Sequence, residues 1–325
     1  MINPLVSVLI PCFNAERFIG AALESALAQT YCPIEVIVVD DGSTDGSAKV
    51  IKSFRAHGVT AIFQDNAGQS AAANRALAAA QGDYVKFLDA DDLLHPEMIE
   101  RQVIALTEQD QAIAFGEWAR FSSDPSEAVF PPLPMYRTAS PADWLASEWI
   151  GGAPMTQCAM FLIPRAVLNA TGGWDERLSV NNDFEFFSRV LCAVQELIFV
   201  PGARLYYRTV AGSLSAQVSP PAARSATLSL QLGANHLLAV EDSPRTRQAA
   251  ANVLQTFNYR FYPAYPALRH DLAARIAELG GSDLPPDGPP GFQRLRRWIG
   301  WRGARRVQQL AERMGLNRAA RGSPQ

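Results

Sequence analysis

Short apolar runs that each stop at a cluster of polar residues constrain this chain more than any other feature. The clearest is residues 34–39, IEVIVV, dominated by β-branched side chains without polar alternation, as a strand buried on both faces of a parallel sheet requires. It empties into Asp40-Asp41-Gly42-Ser43. Similar runs at 6–10, 59–63, 84–88 and 111–115 alternate with helix-period segments at 14–29, 48–54 and 69–80. That alternation predicts an α/β fold, a parallel sheet covered by helices. Asn14 is placed to cap the first of these helices, and Pro96 to open the fourth at a favoured first-turn position.

Past Phe121 the texture changes. Residues 122–141 are rich in Pro and Ser and read as a surface loop. Strand character returns at 158–163, a helix follows Pro164, and another begins near Asn182. Residues 197–200 and 205–208 read as two late strands. From about Ala222 the chain is helical, broken by SDLPPDGPPG at 282–291, a stiff linker. The chain therefore divides into residues 1–220, a helical extension at 221–290 and a tail at 291–325.

Charge separates the tail from the rest. The 29 basic and 32 acidic residues give a formal net charge of −3, which argues against a nucleic-acid partner. Nine Arg and a single acid, Glu312, lie from Gly291 onward, so a +8 tail follows a −11 body. Phe292, Leu295, Ile299, Val307, Leu310 and Met314 fall on one helical stripe of that tail, flanked by Trp298 and Trp301. Two readings stand: a basic amphipathic helix for an anionic membrane surface, or a helix packed on its own domain with a solvated Arg face. Gly300 and Gly303 weaken a single continuous helix.

No stretch reaches the roughly 18 apolar residues of a membrane-spanning helix. The N-terminus, MINPLVSVLIPCFN, carries no Lys or Arg before its apolar run and Pro11 interrupts that run, so a strand is expected there and not a signal peptide. Cys12, Cys32, Cys158 and Cys192 form no CxxC, which predicts small buried thiols in a reducing cytoplasm. The four histidines show no metal-ligand spacing.

In an open parallel sheet, ligands bind at the carboxyl ends of the strands. The first strand there meets Pro11-Cys12-Phe13-Asn14, the second Asp40-Asp41, and the fourth Asp89-Ala90-Asp91-Asp92. Five carboxylates along one edge repel each other unless a cation sits among them. Oxygen-only ligands point to Mg²⁺ or Mn²⁺, which usually take one or two carboxylates plus a ligand's phosphates. No GxGxxG, GxxxxGK[ST] or GxSxG is present to suggest another chemistry.

The chain resembles the family 2 glycosyltransferases of GT-A fold. The likeness is carried by SVLIPCFNAERFIGAALESALAQTY, EVIVVDDGSTDGS, DNAGQSAAANRALAAAQGDYVKFLDADDLLHPEMI and GGWDERLSVNNDFEFFSRV, and covers roughly residues 5–215. It implies a Rossmann-like, mostly parallel sheet flanked by helices, with residues 1–115 as the nucleotide-binding half and 116–220 as the acceptor half. It implies inverting transfer of a sugar from a nucleoside diphosphate donor to a saccharide or lipid-linked acceptor, with Mn²⁺ or Mg²⁺ as cofactor, in cell-envelope polysaccharide, lipopolysaccharide or glycolipid assembly. The setting so implied is the cytoplasm, with the tail at the inner face of the membrane.

By the same resemblance, Pro11 and Phe13 lie against the nucleotide base, with Phe13 in place of the usual Tyr and Asn14 beside them. Asp41 matches the acid at the base edge, next to Asp40. Asp91 and Asp92 match the DxD-type motif, Asp91 towards the ribose and Asp92 on the metal, and both serve as metal ligands. Asp89 either contributes or orients the loop. Asp183 matches the catalytic base, while Asn182 departs from the family's Glu and is expected at the acceptor. Trp174 is expected to face the acceptor sugar, and Asn74 to be structural. Arg208 is retained for the diphosphate, but Val210 stands where relatives carry His. The alternatives are a nucleotide-sugar-binding protein without turnover and a nucleotidyltransferase on a similar sheet.

Overall fold

The computed structural model describes residues 3–109, 111–210 and 219–313. Strand β1 (Val6–Cys12) and strand β2 (Ile34–Asp41) run further than their apolar cores, into the polar clusters that follow. They pair in parallel, with Cys12 opposite Asp40. Helix α1 (Ile19–Leu27), helix α2 (Ser47–Ser53), strand β3 (Thr60–Gln64), helix α3 (Gln69–Ala79) and strand β4 (Tyr84–Phe87) complete the alternating half. Strand β3 joins β2, and β4 joins β1, both in parallel. The carboxyl ends of β1, β2 and β4 therefore share one edge of the sheet.

Asn14 does not cap α1. The helix starts at Ile19, and Asn14 sits in the left-handed region at φ 49°. Its Oδ1 accepts from Thr44 N–H at 2.8 Å, and its own N–H donates to Ser43 Oγ at 2.9 Å. The asparagine ties the loop after β1 to the loop after β2. Pro96 likewise precedes its helix, because strand β5 (Leu93–Leu94) pairs with a later strand before helix α4 (Met98–Leu106) begins.

The second half widens the sheet. Strand β6 (Ala112–Phe121), helix α5 (Pro141–Trp149), strand β7 (Phe161–Pro164), helix α6 (Arg165–Thr171), helix α7 (Asn182–Leu191) and strand β8 (Glu196–Arg208) follow. The order across the eight strands is β3-β2-β1-β4-β7-β6-β8-β5. Four pairings are parallel and three, β4–β7, β6–β7 and β5–β8, are antiparallel. The two late strands are one strand of 13 residues. Pro201-Gly202 interrupts its apolar pattern near a register shift opposite Phe115 and Glu117, and Gly202 takes φ 78°. A proline in a sheet is tolerated at such an irregularity.

Lys86 of β4 is fully buried, an outcome its charge conceals. Its Nζ donates to the Ala159 and Phe161 carbonyls at 2.8 and 3.1 Å, and burial pushes its pKa down to about 7. Cys12 and Cys158 are buried as expected, whereas Cys32 is exposed.

Helices α8 (Pro220–Val240), α9 (Pro244–Phe261) and α10 (Pro266–Glu278) form the extension, and α11 (Pro290–Arg313) the tail. Helix α8 lies so close to α7 that a Cβ on Gly233 would come within 2.4 Å of the Phe184 ring. One hydrophobic core runs from Val6 through Ala223 and Leu237 to Leu279. No helix among the described residues is long and apolar enough to cross a membrane.

Candidate active site

The strand ends create the site through backbone registry. After β4, the Leu88 N–H still donates to Leu9 O at 2.9 Å, so the chain leaves the sheet only at Asp89. The turn 89–92 then closes through Asp92 N–H to Asp89 O at 3.2 Å. Pairing of Leu93 with Tyr206 carries the end of β8 onto this turn. There the Arg208 N–H donates to Asp92 Oδ1 at 2.8 Å, and its Nε to Asp91 O at 2.8 Å. The guanidinium lies 4.3 Å from the Phe121 ring and 5.1 Å from the Phe18 ring. Arg208 thus lies against the acidic turn, held by two aromatic faces that its local sequence does not signal.

Asp183 arrives from the opposite half, in the first turn of α7, with Oδ1 accepting from the Phe184 N–H at 2.9 Å. The loop before it is stapled by α8. Ser225 Oγ accepts from the Ser179 and Val180 N–H groups at 2.9 and 3.0 Å and donates to Val180 O at 2.8 Å. Ser229 donates to the Asn181 carbonyl at 2.5 Å, where Asn181 adopts φ 60°. The helical extension is therefore part of what positions Asp183. Nothing in the local sequence of either serine signals that.

The electrostatics define which acids act together. Burial pushes Asp89 up to about 7, assisted by the charges of Asp91 and Asp183. Asp92, 1% exposed, is raised well above the carboxylate range by burial and then by Asp89 and Asp91. Burial also raises Asp91 and Asp183. The Tyr207 hydroxyl, absent from the sequence reading, is pushed up to about 12 by burial and by Asp92 and Asp89. Cys158 contacts the same group, donating to Asp89.

The edge holds two groups of acids and not the single cluster of five that was expected. Asp41 is 2% exposed and already engaged: Oδ1 accepts from Gln64 Nε2 and Ala67 N–H, and Oδ2 from Gly68 N–H, at 2.8–2.9 Å. With three donors, most of its acceptor capacity goes to holding residues 64–68. Asp40 is 4% exposed with Oδ1 unpaired, and its charge acts on Cys12. Between the two groups runs β1, with half-buried Pro11 near its end and Phe13, 50% exposed, just beyond it.

Two expected acceptor contacts are corrected by burial. Trp174 is 7% exposed and stacks on Phe186 with centroids 4.0 Å apart and planes 2° apart. Its edge-to-face partner Phe87 is 5.2 Å away. Asn74 fixes its backbone, accepting from Trp174 N–H at 2.7 Å and donating to Trp174 O at 2.9 Å. Trp174 is core, and Asn74 is structural as expected. Asn182, also 7% exposed, donates to Ser70 Oγ at 3.1 Å and so ties α7 to α3. Both side chains are buried and engaged within the fold.

Among the described residues, no group of three or more His, Cys, Asp or Glu side chains is arranged to hold a metal by itself. A hard cation completed by a diphosphate needs fewer, usually one or two carboxylates. Asp92 fits that requirement, because its Oδ2 is buried with no hydrogen-bond partner. Ordinary buried polar atoms are paired, so this oxygen is free to take a cation.

Comparison with known proteins agrees with this layout. A family model described as "Glycosyl transferase family 2" matches residues 7–171. Glycosyltransferase GlyA of Streptococcus pneumoniae serotype 4 is 36% identical over 132 residues, 40% of this chain and 19% of that protein. A putative teichuronic acid biosynthesis glycosyltransferase, TuaG of Bacillus subtilis, is 36% identical over 127 residues, 38% of this chain and 50% of its own length. The matches thus span half or less of these curated relatives. The structure of S. aureus TarS 1-349 in complex with UDP-GlcNAc superposes with a TM-score of 0.67 at 18% identity, over 95% of this chain and 92% of that one. The UDP complex gives 0.57 at 19% identity, over 84% and 88%. These structures share the fold.

Proposed function

Since the chain belongs to glycosyl transferase family 2, we propose that it moves a sugar from a nucleoside diphosphate to an acceptor hydroxyl with inversion at the anomeric carbon. The observation that carries the reading is the approach of Asp183 to Asp89, which itself interacts with Asp91 and Asp92 in the turn after β4. An isolated acid at a helix start is an ordinary first-turn residue. One half-buried beside a diphosphate-type acidic turn is placed for proton transfer. Asp183 takes the acceptor hydroxyl proton as the oxygen attacks. Its burial raises its proton affinity, which suits a base.

Asp91 and Asp92 would hold Mn²⁺ or Mg²⁺ against the donor. Such an ion supplies charge neutralisation to the departing diphosphate. Arg208 adds a fixed positive charge beside the same turn. Phe13 offers an exposed face on which a base can stack, and half-buried Pro11 lies two residues before it. Asp41 shapes the neighbouring wall by fixing residues 64–68. The S. aureus TarS complexes with UDP and UDP-GlcNAc support a uridine donor as the first to test. The teichuronic acid relative supports an acceptor in cell-envelope polysaccharide assembly, either a saccharide or a lipid-linked one.

Transfer should be lost in excess EDTA and restored by adding Mn²⁺ beyond the chelator. The assay is release of the nucleoside diphosphate in the presence of acceptor. A rate that EDTA leaves unchanged removes the cation from this account.

A further inference from the structure

Helix α11 is attached to the protein by one side only. Phe292 and Ala304 are buried at 4% and 0% exposure. Trp301 packs edge-on against Tyr259 and Tyr262, with centroids 4.8 and 4.9 Å away. Gln309 Nε2 donates to Tyr262 O at 3.0 Å, and an Arg305 nitrogen to Asp287 O at 2.9 Å. The helix bends at Gly300, where φ is 69° and ψ 165°. Both halves of the bent helix are thereby fixed to the extension.

Its other side carries Trp298 at 87% exposure, Ile299 at 48%, Val307 at 47% and Leu310 at 56%. Arg294, Arg297, Arg302 and Arg306 are exposed among them. No acidic side chain of the described residues forms an ion pair with any of the four. Leaving a tryptophan so exposed, on a helix that also exposes three aliphatic side chains, costs solvation free energy in water, and docking of the inner side does nothing to relieve it.

We propose that this face of α11 seats the protein on an anionic lipid bilayer, with Trp298 and Ile299 entering the headgroup region and the four arginines pairing with lipid phosphates. Charge selects the occupant. The tail is +8 while residues 1–290 are −11, so an anionic surface attracts this face and repels the remainder, which fixes the orientation. Tryptophan is enriched at membrane interfaces, and arginine on the polar face of helices that lie there. A nucleic acid would satisfy the arginines but offer nothing to Ile299, Val307 and Leu310. A second copy meeting face to face would oppose arginine with arginine. Lipid binding of this kind is independent of the transferase reading, and its test reads binding alone.

The full-length protein is sedimented with vesicles of phosphatidylcholine alone and with vesicles of phosphatidylcholine and phosphatidylglycerol in equal parts. It should pellet with the anionic vesicles only, and high salt should release it. Trp298→Ala should weaken binding about tenfold. The combined change R294Q, R297Q and R302Q should weaken it roughly a hundredfold, at about fivefold per arginine near an anionic surface. All four positions are exposed, so both variants should keep the parent's melting temperature, which serves as the folding control. Absent binding, equal binding to both vesicles, or undiminished binding by both variants overturns the proposal. So does tighter capture by single-stranded DNA than by anionic vesicles, or a self-association that Trp298→Ala abolishes while lipid binding is missing.

Discussion

Asp183→Asn should lower kcat by about 10²- to 10⁴-fold, the usual contribution of a positioned general base, while the donor dissociation constant stays the same. Asparagine keeps the shape of aspartate, and its side-chain oxygen can still accept from the Phe184 N–H that Asp183 now engages at 2.9 Å. The start of α7 therefore survives, and only the capacity to receive a proton is lost. Donor binding is spared because the donor contacts proposed above lie at the ends of β1, β2 and β8 and in the 89–92 turn. The pH profile gives a second signature. Burial raises Asp183 above the ordinary carboxylate value, near ~3.9. The residue acts as a base only when ionised, so kcat/KM should climb with pH through that raised value. The variant should lack this acidic limb. Initial rates across pH, with titration calorimetry for the donor, measure both effects.

Trp174→Ala should cost about 3–5 kcal/mol of stability, the range for truncating a large aromatic in a packed core. The ring is stacked on Phe186 at 4.0 Å and meets Phe87 edge-on at 5.2 Å, so its removal leaves a cavity beside the helix that carries Asp183. Urea denaturation measures the loss. Trp174→Phe should retain most of the stability. The indole Nε1 is buried without a partner, so phenylalanine sacrifices no hydrogen bond. A sugar-contacting tryptophan would behave in the opposite manner, with a raised acceptor KM and an unchanged unfolding midpoint.

Trp174 also shows where sequence reasoning reaches its limit. The alternation of β1, α1, β2 and α3 was legible because strands buried on both faces must be apolar throughout, and their polar ends stand out against that. The acids at those ends were legible for the same reason. Their partners were not. Asn14 carries the residue type of a helix cap, yet its carbonyl oxygen serves Thr44, 30 positions away. Asn182 likewise binds Ser70, 112 positions away. Local sequence shows that a side chain can satisfy a backbone or polar group, but not which one, because that is decided by tertiary approach. Five acids looked like one cluster, yet Asp41 is consumed by residues 64–68, and the fourth member of the interacting set is Asp183 from the other half of the fold.

Other features do carry local signals. Helix α5 opens at Ser140 with Pro141 and Asp143 behind it, and the serine accepts from the Asp143 N–H. Ser-Pro-x-Asp is a helix start, though it lay inside a stretch dominated by loop-forming residues. Strand β8 was divided in two by Pro201-Gly202, which in the folded chain mark an irregularity within one strand. Ser225 and Ser229 had no signal at all. They lie on α8, in the extension, and act on the loop before Asp183 only because α7 and α8 pack so closely.

The central claim is a single displacement in which Asp183 deprotonates the acceptor on the face opposite the departing diphosphate. Proton NMR of the first-formed product, taken before mutarotation or hydrolysis, reports the anomeric configuration directly. The account predicts inversion relative to the donor, and a product that retains the donor's configuration would contradict it.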